Sequence, residues 1–312
     1  LHTIATLNLP KKREDFFMIK GIFYSLLASV LFNCIYYMSV LMNPISTQAL
    51  IGYRMIFAMP FVIAAIFLLK QQRNFKFLLL KIKLKPKILL VLLATSLIVS
   101  FQMWLYLWAP SNGSALKVSI GYLIMPIVMV LFGRIFFKEH LSKTKLASIF
   151  FAALGVFSTA ILSGGISWES AVVFCLYPVY FAIRKYYNLA NFSSFVIEII
   201  FMFLFSFYFA LTADMNYVMS QNPNIYYLLI LLGAISGIAL IAQILSSTLV
   251  PINVLGLLTY FEPIMMLFVS FAIGERLEKS SYFLMICLAI SVTLLMIDSI
   301  NSIKGDKNTK TK

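Results

Sequence analysis

Charge is scarce in this chain. Only 12% of its 312 residues are Asp, Glu, Lys or Arg, while 62% are hydrophobic. A soluble domain is about half apolar and a quarter charged, so an ordinary soluble globule is excluded once the apolar residues prove to lie in long runs. Acidic residues are rarer still, with 11 against 25 Lys and Arg, for a net charge of +14. In an apolar chain that imbalance belongs first to the loops, because membrane proteins collect cations on one side. It does not by itself point to nucleic acid, and no nucleic-acid partner is expected. The three cysteines (Cys34, Cys175, Cys287) each sit inside an apolar run and read as small hydrophobic residues, which leaves no disulfide framework. The only histidines are His2 and His140, and no Cys/His spacing suggests zinc, so no metal site is expected. No G-x-x-x-x-G-K-[ST] loop occurs, and the longest connection is about 18 residues, too short for a nucleotide-binding domain. H-E-x-x-H and G-x-S-x-G are also missing, which argues against a membrane metalloprotease or serine hydrolase. No clustered acid/base set replaces them, and the chain is not read as an enzyme.

What is present is a series of apolar runs, each near the roughly 20 residues that cross about 30 Å of hydrocarbon. Ten are expected to be membrane-spanning helices: 19–41, 48–69, 88–107, 116–137, 146–162, 171–183, 195–211, 226–245, 253–273 and 282–300. The sixth is short and interrupted by Pro178. None shows the strict alternation of barrel strands. The first is too long for a signal-peptide core and lacks a small-x-small cleavage site. Residues 1–17 are expected to form an N-terminal extension without fixed structure, since Met18 looks like a natural start, and 301–312 a basic cytoplasmic tail.

Ten crossings put both termini on one side. With the N-terminus inside, 21 cations fall in inside segments, seven of them between Lys70 and Lys87. Only Lys117, Arg276 and Lys279 fall outside, and Arg54 lies within a helix. That asymmetry is a positive-inside pattern, and it supports a multi-pass membrane protein with cytoplasmic termini; the bacterial inner membrane is the expected location.

One phrase is written twice. "SIGYLIMPIVMVLFGRIFFKEHLS" covers 119–142 and "LGLLTYFEPIMMLFVSFAIGERLE" covers 255–278, their prolines Pro126 and Pro263 lying 137 residues apart. The copies are imperfect, with 13 residues from Pro126 to Glu139 and 12 from Pro263 to Glu275. They fall in the fourth and ninth crossings, which five intervening connections force into opposite orientations. The fold expected is therefore all-α and polytopic, with ten transmembrane helices in two inverted five-helix repeats, 18–165 and 166–300. Such repeats characterise secondary transporters whose site lies near mid-membrane.

At these residues the chain resembles the EamA family of the drug/metabolite transporter superfamily. "EPIMMLFVSFAIGERLE" matches the closing segment of an EamA half, and "MPIVMVLFGRIFFKEHLS" matches it more loosely. "WAPSNGSALKVSIGYLIMPIV" is more narrowly similar to the RarD branch, as are "FCLYPVYFAIRKY" and "VIEIIFMFL". The likeness runs from about Met18 to Ile300. Phe101-Gln102 stands where that branch often has Asn-Trp, and "LFNCIYYM" where an aromatic-Gly pair is common, so no substrate is carried over. The resemblance implies ten helices, no bound cofactor, and secondary transport of small metabolites or drugs. S-adenosylmethionine carriers share the superfamily, so an importer or exchanger of such a nutrient is an alternative. A membrane sensor or assembly partner is an alternative of another kind.

Ionisable and polar groups inside hydrocarbon call for a reason. Glu262 lies roughly 13 Å into the ninth crossing at 1.5 Å per residue. Pro263 beside it removes a helical hydrogen bond and frees a carbonyl. Glu262 is a candidate for proton coupling and substrate contact, or else a neutral Glu tied to the loosened helix. Arg54 reads either as a bidentate ligand for a substrate carboxylate or phosphate or as a side chain snorkelling outward. Glu198 is a second proton-coupling candidate, paired with Arg54 or a cytoplasmic cation, or simply placed at a helix N-terminus. Tyr122 and Tyr260 precede the repeated prolines and are candidate pocket walls, with packing as the alternative. Gln102 and Asn33 are polar groups at depth. Pro126 and Pro263 are the expected helix breaks. The partners expected are a small-molecule substrate and the lipid bilayer; proton coupling and a homodimer are further expectations.

Overall fold

In a computed structural model, residues 11–138, 141–162, 166–250 and 252–309 are described. They form thirteen α-helices and no strand: α1 (Lys11–Leu41), α2 (Thr47–Leu68), α3 (Gln72–Leu84), α4 (Lys87–Ser111), α5 (Ala115–Phe137), α6 (Lys143–Leu162), α7 (Trp168–Tyr186), α8 (Phe192–Leu211), α9 (Met215–Gln221), α10 (Ile225–Leu249), α11 (Ile252–Leu258), α12 (Phe261–Ile273) and α13 (Tyr282–Thr309). Each of the ten expected runs is helical. Eight segments are long and apolar enough to cross a membrane: Phe16–Leu41, Thr47–Leu68, Lys87–Ser111, Ala115–Phe137, Phe192–Leu211, Ile225–Leu249, Val254–Ile273 and Tyr282–Asn301. The fifth and sixth runs, α6 and α7, are helices of 20 and 19 residues that do not join that set. In α7 the reason is charge at its ends, with Glu169 in the first turn and Arg184 and Lys185 in the last.

Several expectations change in detail. Pro178 does not interrupt α7, and Pro126 sits inside an unbroken α5. A proline within a continuous helix removes one backbone N–H donor from the helical ladder. The ninth crossing is the one that breaks, at Thr259-Tyr260, into α11 and α12. Pro263 is then the third residue of α12, within the first turn where a missing N–H costs nothing. Residues 1–10 lie outside the described residues. The first helix starts at Lys11, inside the expected extension, and α13 continues to Thr309, into the expected tail. Two helices were not foreseen: α3, within the basic connection, and the short α9, whose N-cap Asp214 accepts from Tyr217 N–H at 3.1 Å.

The chain divides into two compact units, each built from two or three separate stretches of sequence. One comprises Leu1–Val30, Ser114–Pro178 and Ala242–Lys312, and the other Leu31–Gly113 and Val179–Ile241. In the first, α13 packs along α6, α12 along α5, and α11 against α13. Its core gathers Ile120, Leu123, Ile124, Ile127, Tyr260, Leu284 and Leu288. Ser148 and Ser291 share hydroxyl hydrogen bonds between α6 and α13 at 2.7 Å. In the second unit α8 packs along α2 and against α4. Gly52 permits that approach, because a Cβ there would lie 2.5 Å from the Ser206 carbonyl oxygen on α8. Phe57 and Phe61 of α2 lie over Gly233 and Gly237 of α10, a small-x-x-x-small face. Hydroxyls bonding across helices and small residues at crossings are how helices associate where lipid is as apolar as the side chains.

Candidate functional site

Within the second unit, α8 begins at the cap Asn191, whose side chain accepts from the Ser194 N–H at 3.0 Å. Two turns on, Glu198 is wholly buried. Its Oε1 accepts from the Thr95 hydroxyl at 2.7 Å, and its Oε2 accepts from the Tyr180 hydroxyl at 2.8 Å. Arg184 Nη1 lies 3.2 Å from the same Oε2. The guanidinium is itself fixed: Nε and Nη2 donate to the Leu189 carbonyl at 3.2 and 3.0 Å, Nη2 also donates to the Asn191 carbonyl at 3.0 Å, and Nη1 donates to the Tyr180 hydroxyl. The cation beside Glu198 is thus Arg184, near the end of α7. Thr95 and Arg184 escaped the sequence reading as site residues. The one signal available was a Glu seven residues into a helix that follows an Arg-ended one.

The same unit gathers a second polar group. Arg54 is 2% exposed, so its side chain turns into the protein. Its Nε donates to the Ser236 hydroxyl at 2.9 Å, and its Nη1 lies 3.6 Å from the Met103 sulfur. Gln102, next to Met103, and Asn33 are both buried. Each lies close in sequence to a residue that links α1 to α4. The Tyr106 hydroxyl donates to the Phe32 carbonyl at 2.6 Å, and the Tyr36 and Tyr106 rings are 4.8 Å apart. Gln102 is one turn before Tyr106, and Asn33 follows Phe32. A guanidinium, two amides and two phenol rings in a buried setting can recognise an anionic or zwitterionic solute: the cation by charge, the amides by hydrogen bonds, and the rings by apolar area.

The first unit holds the remaining candidates. The Tyr122 and Tyr177 hydroxyls are 3.0 Å apart, and both copies of the repeated phrase contribute further contacts. Tyr260 is buried among the core side chains at the break between α11 and α12. Glu262 is the second residue of α12 and half-buried. A carboxylate in the first turn of a helix is favoured by the macrodipole. Beyond it, Ser270 and Ser119 share a 3.0 Å hydrogen bond. Glu275 ends the phrase by accepting from the Ala115 and Leu116 N–H groups at 2.8 and 2.6 Å, so it caps α5. Its counterpart Glu139 lies outside the described residues. The repeated phrase therefore holds helix α12 against α5 along its length. Asn33, Arg54, Gln102 and Glu198 belong to one unit, and Tyr122, Pro126, Tyr260, Glu262 and Pro263 to the other.

The family model for EamA-like transporters matches residues 19–161. An uncharacterized transporter of Pasteurella multocida is 48% identical over 92% of this chain and 99% of its own length. The chain belongs to the EamA family. It is a membrane transporter of the drug/metabolite superfamily and not an enzyme. An uncharacterized transporter of Haemophilus influenzae is 49% identical over 91% of this EamA chain and 95% of its own. The chloramphenicol-sensitive protein RarD of Pseudomonas aeruginosa is 30% identical over 88% and 93%. These relatives place it in the RarD-like branch. A solved crystal structure, 15% identical, covers 90% of this chain and 99% of its own at a TM-score of 0.52, a likeness of fold alone.

Proposed function

We propose that this EamA protein moves a small metabolite, amino-acid-like compound or drug across the bacterial inner membrane by alternating access, coupled to protons or to exchange. In this reading its termini are cytoplasmic and its ten crossings form two inverted five-helix repeats. The observation that carries the proposal is the pairing of helices. The second crossing packs along the seventh (α2 and α8), the fourth along the ninth (α5 and α12), and the fifth along the tenth (α6 and α13). A two-fold axis in the membrane plane would set helices that lie close to it beside their mates five crossings later, in keeping with the inverted repeats of secondary transporters. The broken ninth crossing supports the same reading, since discontinuous helices supply ion and substrate sites at mid-membrane.

Roles follow from chemistry. Arg54 binds the anionic group of the solute, Gln102 and Asn33 its polar edge. Within their own unit, Tyr122 and Tyr260 offer apolar surface with a polar tip. Glu262, at the N-terminus of the half-helix α12, carries the coupling proton. Glu198, locked to Arg184, is poised to release its cation when it is protonated.

The test is a thermal-shift screen on detergent-purified protein with amino acids, S-adenosylmethionine, nucleosides, organic acids and chloramphenicol, the last chosen because a relative is the chloramphenicol-sensitive protein RarD. A ligand at 100 times its Kd stabilises the protein by about 2.7 kcal/mol. The expected result is a hit that is taken up by proteoliposomes, with Glu262→Gln losing proton-driven uptake but keeping exchange. Normal pH-driven flux in that variant removes the coupling role. A blank on a stable preparation, with no uptake of any panel member, argues for a partner-protein role instead.

A further inference from the structure

Helix α3 is apolar on two opposite sides. At 100° per residue, Phe75, Leu78 and Ile82 share one face, and these pack with Ile88 and Leu92 of α4 and with Leu189 and Ile197. Phe77, Leu80 and Leu84 form a stripe on the other side, exposed by 69%, 59% and 81%. Lys76 and Lys83 flank that stripe on one edge and Lys81 on the other; Arg73, Lys85 and Lys87 lie at its ends. None of the three ion pairs among the described residues uses these cations. In sequence, no Asp or Glu occurs between Asp15 and Glu139.

Water does not suit this helix, because three large apolar side chains would stand together unpartnered. Hydrocarbon does not suit it either, because 13 residues span only about 20 Å, short of the core, and the lysines would be stranded. The tethers decide the place. Residues 69–71 join α3 to the end of α2 and residues 85–86 join it to the start of α4, so it must sit where two spans leave the bilayer. Its inner face reaches Leu92, the sixth residue of α4.

We propose that α3 is an interfacial helix that binds anionic phospholipid. Phe77, Leu80 and Leu84 enter the boundary between headgroups and acyl chains, and the surrounding lysines hold the phosphodiesters. The inference rests on the membrane-spanning reading but not on transport. It also gives the lipid a route to the buried network. The inner face of α3 rests on Ile197, next to Glu198, and on Leu189, whose carbonyl holds Arg184. Lipid held against α3 thereby braces the Glu198–Arg184 pair.

The experiment uses full-length protein with Cys34, Cys175 and Cys287 replaced by Ser, reconstituted in nanodiscs of phosphatidylcholine with and without phosphatidylglycerol. Nitroxide labels on Phe77→Cys and Leu80→Cys report depth through oxygen against nickel-chelate accessibility. Native mass spectrometry of the unlabelled wild type and of a Lys76→Gln/Lys81→Gln/Lys83→Gln variant reports which lipid is retained. We expect both labels at the headgroup–acyl boundary. We also expect a several-fold preference for phosphatidylglycerol in the wild type that falls close to one in the variant and is untouched by millimolar inorganic phosphate. Water-like accessibility at both labels overturns the proposal, as does equal lipid retention in the two proteins. Loss of the preference in phosphate reassigns the lysines to a free-phosphate site. No readout requires transport, so an inactive protein still gives the answer.

Discussion

Arg184 Nη1 and Glu198 Oε2 lie 3.2 Å apart with both side chains buried, and every further contact of the pair given above comes from a hydroxyl or a backbone carbonyl. Burying two charges is costly, and their attraction offsets the cost only when geometry and surrounding hydrogen bonds are complete. Here they are. Glu198 receives Thr95 and Tyr180, and Arg184 spends its donors on Leu189 and Asn191.

Removing one partner therefore leaves the other charged and buried. Arg184→Met or Glu198→Gln alone should cost about 3–5 kcal/mol, whereas Arg184→Met with Glu198→Leu should recover most of it. Unfolding midpoints of the three variants in one detergent decide the matter. If the double variant is no more stable than the worse single one, the two residues do not act as a pair.

Glu275 makes a different prediction, because its carboxylate serves helix geometry. It accepts from the first two N–H groups of α5, which have no partner within that helix. Glu275→Ala should cost about 0.5–2 kcal/mol, the range for a lost helix cap. Glu275→Gln keeps one acceptor and should fall between that variant and the wild type. Binding of a solute found in the screen should survive both changes. A loss of binding at unchanged stability would move Glu275 from capping to recognition.

The eight long apolar spans were legible because hydrocarbon thickness imposes a length and a composition that no other environment demands. Helix α3 was not, since a 13-residue helix with lysines on its edges scores as a charged loop in any span-length window. The break in the ninth crossing was read at Pro263 and falls at Thr259-Tyr260. A proline fits the first turn of a helix, so it marks the start of the second piece. Partners were the least legible. Thr95 and Glu198 are 103 residues apart and Glu275 and Ala115 are 160 apart, and nothing in local pattern encodes such pairings. The two compact units were hidden for a related reason. Helices such as α2 and α8, α5 and α12, and α6 and α13, which pack on partners far along the chain, assemble out of chain order.

Close packing at Gly52 can be separated from helix propensity. Alanine is favoured over glycine in a helix by about 1 kcal/mol, so propensity alone makes Gly52→Ala stabilising. Its Cβ would stand 2.5 Å from the Ser206 carbonyl oxygen and 2.7 Å from the Ala210 Cβ, and a backbone oxygen cannot turn aside. Gly52→Ala should therefore lower the unfolding midpoint by separating α2 from α8. Gly256→Ala, where nothing lies within 4 Å, should leave it unchanged or raise it. Equal effects at both sites would show that α2 and α8 do not depend on close approach.

Arg54 offers the sharpest test of substrate chemistry, because charge and hydrogen-bond geometry can be varied independently. Its Nε is committed to Ser236, which orients the guanidinium plane. Arg54→Lys keeps the charge but loses the planar fork, and Arg54→Ala removes both. A hydrogen bond to a charged group contributes about 1.5–3 kcal/mol. For a carboxylate solute, Arg54→Ala should therefore weaken binding by about ten- to a hundred-fold, with Arg54→Lys in between. Ser236→Ala should give a smaller loss, since it frees the plane without removing it. The decisive comparison is the same solute with its carboxylate converted to an amide. The wild type should prefer the acid strongly, and Arg54→Ala should bind the two alike. If Arg54→Ala still prefers the acid by the wild-type factor, the guanidinium orders the helices around Ser236 and another group reads the substrate.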